Sequence, residues 1–234
     1  MTSQPPANVN APATSDVVNV SLEKRKWLTW LGISLAIIGT LVLCPPWPMR
    51  SRNAGDQLEA SHTARQIGLA LYEFEMEYGQ YPDGETISKV MTKNPTALPL
   101  GTKTSNDFFR QLIAAGVAVS EQIFFAKIKG AIKPDNLMTA GEALKKGECG
   151  FSYLSGLPAS GNPSRPLVVT PLIPGTDRFD PKPFKGKAVI LKIDNSVTSL
   201  PIRKDGHVWV NGMNLLDPRH PLWEGKPPVI AWPE

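Results

Sequence analysis

Residues 53–82 read NAGDQLEASHTARQIGLALYEFEMEYGQYP, and this stretch decides the fold. Its apolar and small residues recur at steps of three and four, which is the spacing of one face of an α-helix. The members of that face are Ala54, Leu58, Ser61, Ala64, Ile67, Leu71, Phe74 and Tyr78. Gly79 ends the pattern, and residues 81–84, YPDG, form a turn signal. The sequence therefore predicts one long amphipathic helix over residues 53–78.

Downstream of this helix, the pattern becomes mixed and then extended. Ser105-Asn106-Asp107 predicts the start of a short helix over residues 108–115, and residues 140–146 predict another. From Gly150 onward β-branched and aromatic residues dominate, which predicts strands at residues 151–154, 167–170, 188–193 and 197–200 and an edge strand at 207–210. The last two long strands join through Asp194-Asn195-Ser196 as a hairpin, and the proline-rich tail 218–234 is expected to be irregular. Helix first and antiparallel strands later is an α+β fold.

Upstream of the helix, residues 27–44 read WLTWLGISLAIIGTLVLC and contain no charge. As a helix these residues would rise about 27 Å, close to a hydrocarbon core of about 30 Å. Lys24, Arg25 and Lys26 precede the segment, and tryptophans flank both ends at Trp27, Trp30 and Trp47. Basic residues before a span hold the N-terminus in the cytoplasm. We therefore expect a disordered cytoplasmic tail over residues 1–26, a transmembrane helix over 27–44 and an extracytoplasmic domain over 45–234.

Two cleaved alternatives to this uncleaved anchor fit the residues less well. A secretory signal peptide needs small residues before the cut, and no Ala-x-Ala follows the apolar run. A lipoprotein signal needs a small residue before the lipidated cysteine, where Leu43 precedes Cys44 and Leu41 stands further upstream. An uncleaved signal anchor is the interpretation that fits the residues.

The composition narrows the possible functions. The net charge is only +4, and no run of Lys and Arg is mixed with aromatics, so we expect no nucleic-acid partner. No Cys-x-x-Cys occurs, and Cys44 and Cys149 are expected to be thiols rather than a bridge. Neither a Gly-x-Ser-x-Gly motif nor a phosphate-binding loop is present. We therefore predict a non-enzymatic protein without catalytic, cofactor-binding or metal-binding residues.

Several polar and aromatic residues are candidates for a functional site, but each is better explained by a structural or solvent-exposed role. His62 lies on the long helix, and His207 and His220 lie in the later part of the chain. Glu73, Glu75 and Glu77 are too closely spaced for one helical face and suggest a solvated surface. The aromatic residues Phe124, Phe125, Trp209, Trp223 and Trp232 are expected in the core, with a binding patch as the alternative.

Residues 64–71, ARQIGLAL, followed by residues 78–82, YGQYP, resemble the first helix of type IV pilin-like proteins, most closely the major pseudopilins of type II secretion systems. The resemblance implies a membrane-spanning helical half, an amphipathic half and an antiparallel sheet packed on that helix. The prepilin cleavage motif Gly-Phe-Thr-Leu-x-Glu is lacking here, and Pro45, Pro46 and Pro48 interrupt the helix. Major pseudopilins bind calcium in a late loop; Asp177 and Asp180 lie in such a loop, for which a plain turn is the favoured interpretation.

These inferences lead to two hypotheses of different classes. The first is a structural or assembly component of a secretion or surface apparatus, anchored in the inner membrane with a periplasmic domain. Its partners would be the lipid bilayer and other pilin-like or secretion-system subunits. The alternative is a membrane-tethered extracytoplasmic binding module.

Overall fold

The computed structural model describes residues 30, 31, 33, 34 and 52–234. The chain divides between Met49 and Arg50 into two units, and residues 52–234 all belong to the second. Within the described residues, no helix is both long and apolar enough to cross a membrane. The predicted tail 1–26 and, apart from four helical positions, the predicted span 27–44 lie outside those residues. The membrane anchor therefore stays a prediction.

The predicted long helix is present as α1, Arg52–Tyr78. Its buried face carries Ala60, Ala64, Ile67, Ala70, Leu71, Phe74 and Tyr78, so the predicted core face is confirmed from Ala64 onward. Ala54 and Leu58 were assigned to that face wrongly, because both are exposed and Leu58 keeps 72% of its surface in solvent. The helix ends at Gly79, which has a left-handed φ of 83° and donates its amide to the Glu75 carbonyl at 2.7 Å.

Two short helices, α2 and α3, follow. Helix α2 spans Thr86–Lys93 and was not predicted. Helix α3 spans Ser105–Ala114 and confirms the predicted helix, although Thr104 is the N-cap residue. Thr104 and Asp107 form a capping box, in which each side chain accepts from the other's backbone amide. A short 3-10 helix then covers Glu121–Phe124.

The predicted helix at 140–146 was wrong, since these residues form turns. Gly141, Leu144 and Gly147 have φ values of 79°, 48° and 89°, which lie outside the right-handed helical region. The amide of Leu144 donates to the Glu121 carboxylate at 2.6 Å instead of to a carbonyl one turn earlier. A tertiary contact therefore replaces the local helix.

The strands form one antiparallel sheet of five strands, as the α+β prediction requires. They are β1 Ser152–Ser155, β2 Pro166–Thr170, β3 Lys187–Lys192, β4 Val197–Pro201 and β7 Val229–Ala231, in the spatial order β4-β3-β2-β1-β7. The predicted hairpin joins β3 to β4, with Leu191 paired to Val197 and Asn195 at a left-handed φ of 61°.

The C-terminal part differs from the prediction in two places. The predicted edge strand at 207–210 is confirmed only for β5 Trp209–Val210, which pairs with β6 Met213–Asn214 in a small hairpin. Strand β7 lies in the tail that was expected to be irregular and pairs with β1 through Ala231 and Tyr153. Ile230 and Ala231 pair with residues of β1, and this pairing allows a strand to form although many prolines lie around it.

Both faces of the sheet are covered. Helix α1 packs against β3 and β4, with Leu191 beside Gly68 of the helix. On the opposite face Ile190 lines a cavity together with Val210 and Leu215. Alternating residues of β3 therefore face the helix, as expected, but the intervening residues are also buried, from Ala188 through Leu191. A second apolar layer built from the C-terminal segment explains this continuous burial.

Candidate interaction surface

The face of α1 that points away from the sheet carries a second row of side chains. Leu58, His62, Arg65, Leu69, Tyr72 and Met76 follow one another at steps of four and three, and we call this row the outer stripe. All six residues are exposed, and Leu58, Leu69, Tyr72 and Met76 retain 72%, 56%, 57% and 69% of their surface in solvent. Large apolar side chains aligned on one exposed helix face are typical of an interaction surface.

The sheet fixes the position of the outer stripe through close packing on the other side of α1. Gly68 brings the helix so near the β3–β4 turn that a Cβ there would overlap Asn195 Oδ1 and lie 2.9 Å from Leu191 Cδ1. Phe74 is fully buried and stacks on Tyr78 with ring centroids 4.5 Å apart. These contacts make α1 a rigid support for the residues on its outer side.

The C-terminal end of α1 is held by polar contacts. Asn94 Nδ2 donates to the Tyr78 hydroxyl at 2.9 Å, and Lys93 forms an ion pair with Glu77 at 2.7 Å. Burial raises the pKa of Tyr78, and the nearby Glu77 charge raises it further. Tyr78 is therefore a neutral hydrogen-bonding group at physiological pH, and its role is to join α1 to the end of α2.

A groove of about 350 Å³ borders the outer stripe where α1 meets the sheet. Leu69 and Tyr72 form its helix side, Tyr81 and Leu167 lie deeper, and Asn195 belongs to the β3–β4 turn. Burial raises the pKa of Tyr81, and the charge of the nearby Glu75 raises it by a smaller amount. The groove and the stripe together offer apolar and aromatic contacts that a partner could cover, and neither contains a nucleophile paired with a base.

The three histidines do not come together. His62 belongs to the outer stripe. His207 lies with its ring 3.4 Å from Asp177 and 3.6 Å from Asp205. His220 is buried, accepts the Leu222 amide at Nδ1 and donates from Nε2 to the Val210 carbonyl, so it is a structural residue.

The candidate carboxylates are also dispersed. Glu73 and Glu77 are exposed on α1, and Glu77 is paired with Lys93. Asp177 faces His207, whereas Asp180 accepts the Lys182 amide at 3.0 Å. The structure thus gives Asp177 and Asp180 separate partners within their loop.

Of the five aromatic candidates, Phe124 and Trp223 belong to the core as predicted, and Phe125 is half-buried. Phe124 and Trp223 are fully buried, and Trp223 donates to the Leu215 carbonyl at 3.1 Å. Trp232 is half-buried, and Trp209 is 39% exposed with the Arg203 guanidinium stacked over its ring. Cys149 is a buried thiol, as expected, and burial raises its pKa to about 11; Cys44 lies outside the described residues.

One group of residues was missed by sequence reasoning. In the described part of the chain, Glu121, Asp135 and Glu148 form a group whose carboxylate oxygens lie close enough together to hold a metal ion. They come from three separate segments and have no motif spacing, so only the fold brings them together.

The chain matches none of the protein-family models with which it was compared, no curated protein and no solved structure.

Proposed function

We propose that the chain is a membrane-anchored, pilin-like structural protein whose copies associate through the outer stripe of α1. It would serve as a component of a secretion or surface apparatus, with its N-terminus in the cytoplasm and the described domain in the periplasm. The observation that carries this proposal is the outer stripe itself. A helix that packs one face on an antiparallel sheet and exposes a second apolar row has a face available for assembly.

The energetics favour covering this row. Burying one large apolar side chain contributes about 1.5–3 kcal/mol relative to leaving it in water. Leu58, Leu69, Tyr72 and Met76 are each more than half exposed. Steps of four and three also place them where a neighbouring helix can interdigitate its own side chains.

The charges along α1 favour a second copy of the chain as the partner in this proposal. Arg65 lies within the outer stripe, and Glu73 lies on its flank, both exposed. A parallel neighbour shifted along the helix axis by eight residues, about 12 Å, would place Arg65 of one copy beside Glu73 of the next. An axial shift repeated from copy to copy builds an open array rather than a closed dimer.

The anchor completes the proposal. The apolar segment 27–44 and the preceding Lys24, Arg25 and Lys26 support a permanent signal anchor. The missing cleavage motif favours a subunit that keeps its N-terminal tail. Association would then occur between neighbours in the same membrane.

Disulfide cross-linking of the full chain in native membranes tests this proposal. Cys44→Ala removes the cysteine that lies outside the described domain, and the remaining Cys149 is buried. Leu69→Cys then places a thiol in the outer stripe. Mild oxidation should give a dimer band that disappears on reduction and contains only this chain by mass spectrometry. Lys204→Cys, at an exposed position outside α1 and outside the outer stripe, is the matched control and should stay monomeric.

Equal yields at positions 69 and 204, or no dimer at either, would contradict self-association. The groove lined by Tyr72 and Tyr81 would then favour the second candidate, a tethered binding module. In that case, Tyr72→Ala should weaken capture of an envelope polymer by the purified chain, while Met76→Ala should leave it unchanged.

A further inference from the structure

Three carboxylates meet beside the 3-10 helix that follows α3. Glu121 opens that helix, Asp135 lies in the irregular segment after it, and Glu148 precedes β1. One oxygen from each lies within 4.8 Å of the others. Glu121 is fully buried and Glu148 is 4% exposed, while Asp135 lies at the surface. The arrangement is therefore a half-enclosed acidic site that opens to solvent at Asp135.

Glu121 is only half satisfied by the protein. Its Oε1 accepts the Leu144 amide at 2.6 Å, whereas its buried Oε2 has no hydrogen-bond partner. An unpaired buried carboxylate oxygen is costly, so a protein retains one where something else supplies the missing contact. The neighbouring carboxylates of Glu148 and Asp135 cannot donate a hydrogen bond to Glu121 Oε2 when they are ionised, because an ionised carboxylate only accepts hydrogen bonds.

The cations around the site do not balance it. Lys145 Nζ pairs with Asp135 Oδ2 at 2.9 Å and also with Glu142. The Lys145 amide donates to Glu148 Oε2 at 2.7 Å, and the Glu121 amide donates to Asn136 Oδ1 at 3.0 Å. Lys145 is therefore divided between two carboxylates and leaves Glu121 and Glu148 without a cationic partner among these contacts. Burial raises the pKa of Glu121, and the charges of Glu148 and Asp135 raise it further.

We propose that Glu121, Asp135 and Glu148 bind a calcium ion. Calcium takes carboxylate oxygens at about 2.3–2.6 Å in flexible geometry, so two ligands on opposite sides of the ion lie about 4.6–5.2 Å apart. The three carboxylate oxygens all lie within 4.8 Å of one another, so a single ion of this size could contact all three. All three ligands are hard carboxylate oxygens, whereas zinc sites usually include Cys or His, so the ligand set favours calcium over zinc. Magnesium requires shorter and more regular contacts and is the weaker fit.

The ion would join three segments that share no backbone ladder. The 3-10 helix Glu121–Phe124 packs on α1, and Thr63 of α1 donates to the Phe125 carbonyl at 3.4 Å. Calcium at this point would fix the connection between α3 and β1 against the helix that carries the outer stripe. The site is independent of the proposed function, because it rests on none of the outer-stripe residues.

Thermal unfolding of the full chain in a neutral detergent tests the site, with EGTA or calcium chloride as the only variable. At a hundredfold excess over its Kd, calcium should raise the melting temperature by about 5–10 °C. Glu121→Gln keeps the size of the side chain but removes its charge, and it should abolish the shift. Asp135→Asn changes a surface ligand and should weaken calcium binding at least tenfold in calorimetry without endangering the fold.

Glu142→Gln is the matched control, since this residue contacts Lys145 but does not belong to the group of three. It should retain the full calcium shift. Three results would overturn the site: no shift in the wild type, an undiminished shift in Glu121→Gln, or an equal shift with magnesium. A melting temperature that rises as the pH falls through the raised pKa of Glu121, with no calcium effect, would show that a proton satisfies the carboxylate instead.

Discussion

Truncating Phe74 tests whether α1 is held on the sheet as the structure indicates. Phe74 is fully buried, and its ring stacks on Tyr78 at 4.5 Å. Replacing such a phenylalanine by alanine costs about 3–5 kcal/mol, because apolar surface is lost and a cavity remains. For a domain of 150–250 residues each kcal/mol lowers the melting temperature by about 2–4 °C. Phe74→Ala should therefore lower it by roughly 6–20 °C.

The same helix provides the control. Met76 lies two residues further along but points to the opposite side, with 69% of its surface exposed. Met76→Ala removes a side chain of similar apolar size without opening a cavity, so its effect on stability should stay within about 0.5 kcal/mol. The melting temperature should then change by no more than about 2 °C.

The assay is thermal unfolding of the full chain in detergent, followed by tryptophan fluorescence. Trp223 is fully buried, so unfolding of the domain exposes it and changes its emission. A urea titration adds a check, since a shifted midpoint with an unchanged slope indicates lost stability rather than a changed unfolded state. If Phe74→Ala and Met76→Ala unfold at the same temperature, α1 does not pack through Phe74 and the assignment of its outer face fails with it.

Three further predictions follow from other parts of the chain. Gly68→Val should destabilise the domain by about 1–3 kcal/mol, because the valine side chain would meet Leu191 and Asn195. Gly55→Ala places its new Cβ with nothing within 4 Å, so it should be neutral or stabilising by up to about 1 kcal/mol. Equal thermal stabilities of the two variants would argue against the close approach of α1 to the β3–β4 turn. A reporter enzyme fused after Glu234 should be active only outside the cytoplasm, and activity only inside would exclude the proposed topology. Mass spectrometry of the membrane-bound protein should recover peptides N-terminal to Trp27, while a lipid-modified N-terminus at Cys44 would establish the lipoprotein alternative.

The regular elements with strong periodic patterns were predictable from the sequence. Helix α1 begins one residue before its predicted start and ends at Tyr78 as predicted. Strand β3, predicted at 188–193, covers Lys187–Lys192 and forms the expected hairpin with β4. In both cases local propensity and burial favour the same structure, so the sequence pattern is sufficient.

Elements that depend on tertiary contacts were not predictable. Residues 140–146 have helical composition, yet Leu144 adopts a left-handed φ of 48° and gives its amide to Glu121. Strand β7 has few residues and lies among prolines, and it forms because β1 offers an unpaired edge. The carboxylate group of Glu121, Asp135 and Glu148 has the same origin, since chain folding alone brings the three segments together.

The outer stripe shows why periodicity identifies a helix more easily than it identifies the core face of that helix. Both the buried row and the outer stripe advance by steps of three and four, and both contain large apolar residues, so the spacing cannot separate them. The other residues of each row distinguish the two faces. The row towards the sheet includes Ala60, Ala64 and Gly68, whose small size allows close approach. The outer stripe includes His62 and Arg65, which would be costly to bury unpaired. Leu58 belongs to the row that contains these two residues, although its apolar side chain and its spacing also match the buried row. A partner that covers the outer stripe must therefore leave His62 and Arg65 hydrated or offer them acidic groups, and the glutamates that flank the outer stripe on α1 of a second copy of the chain meet that requirement.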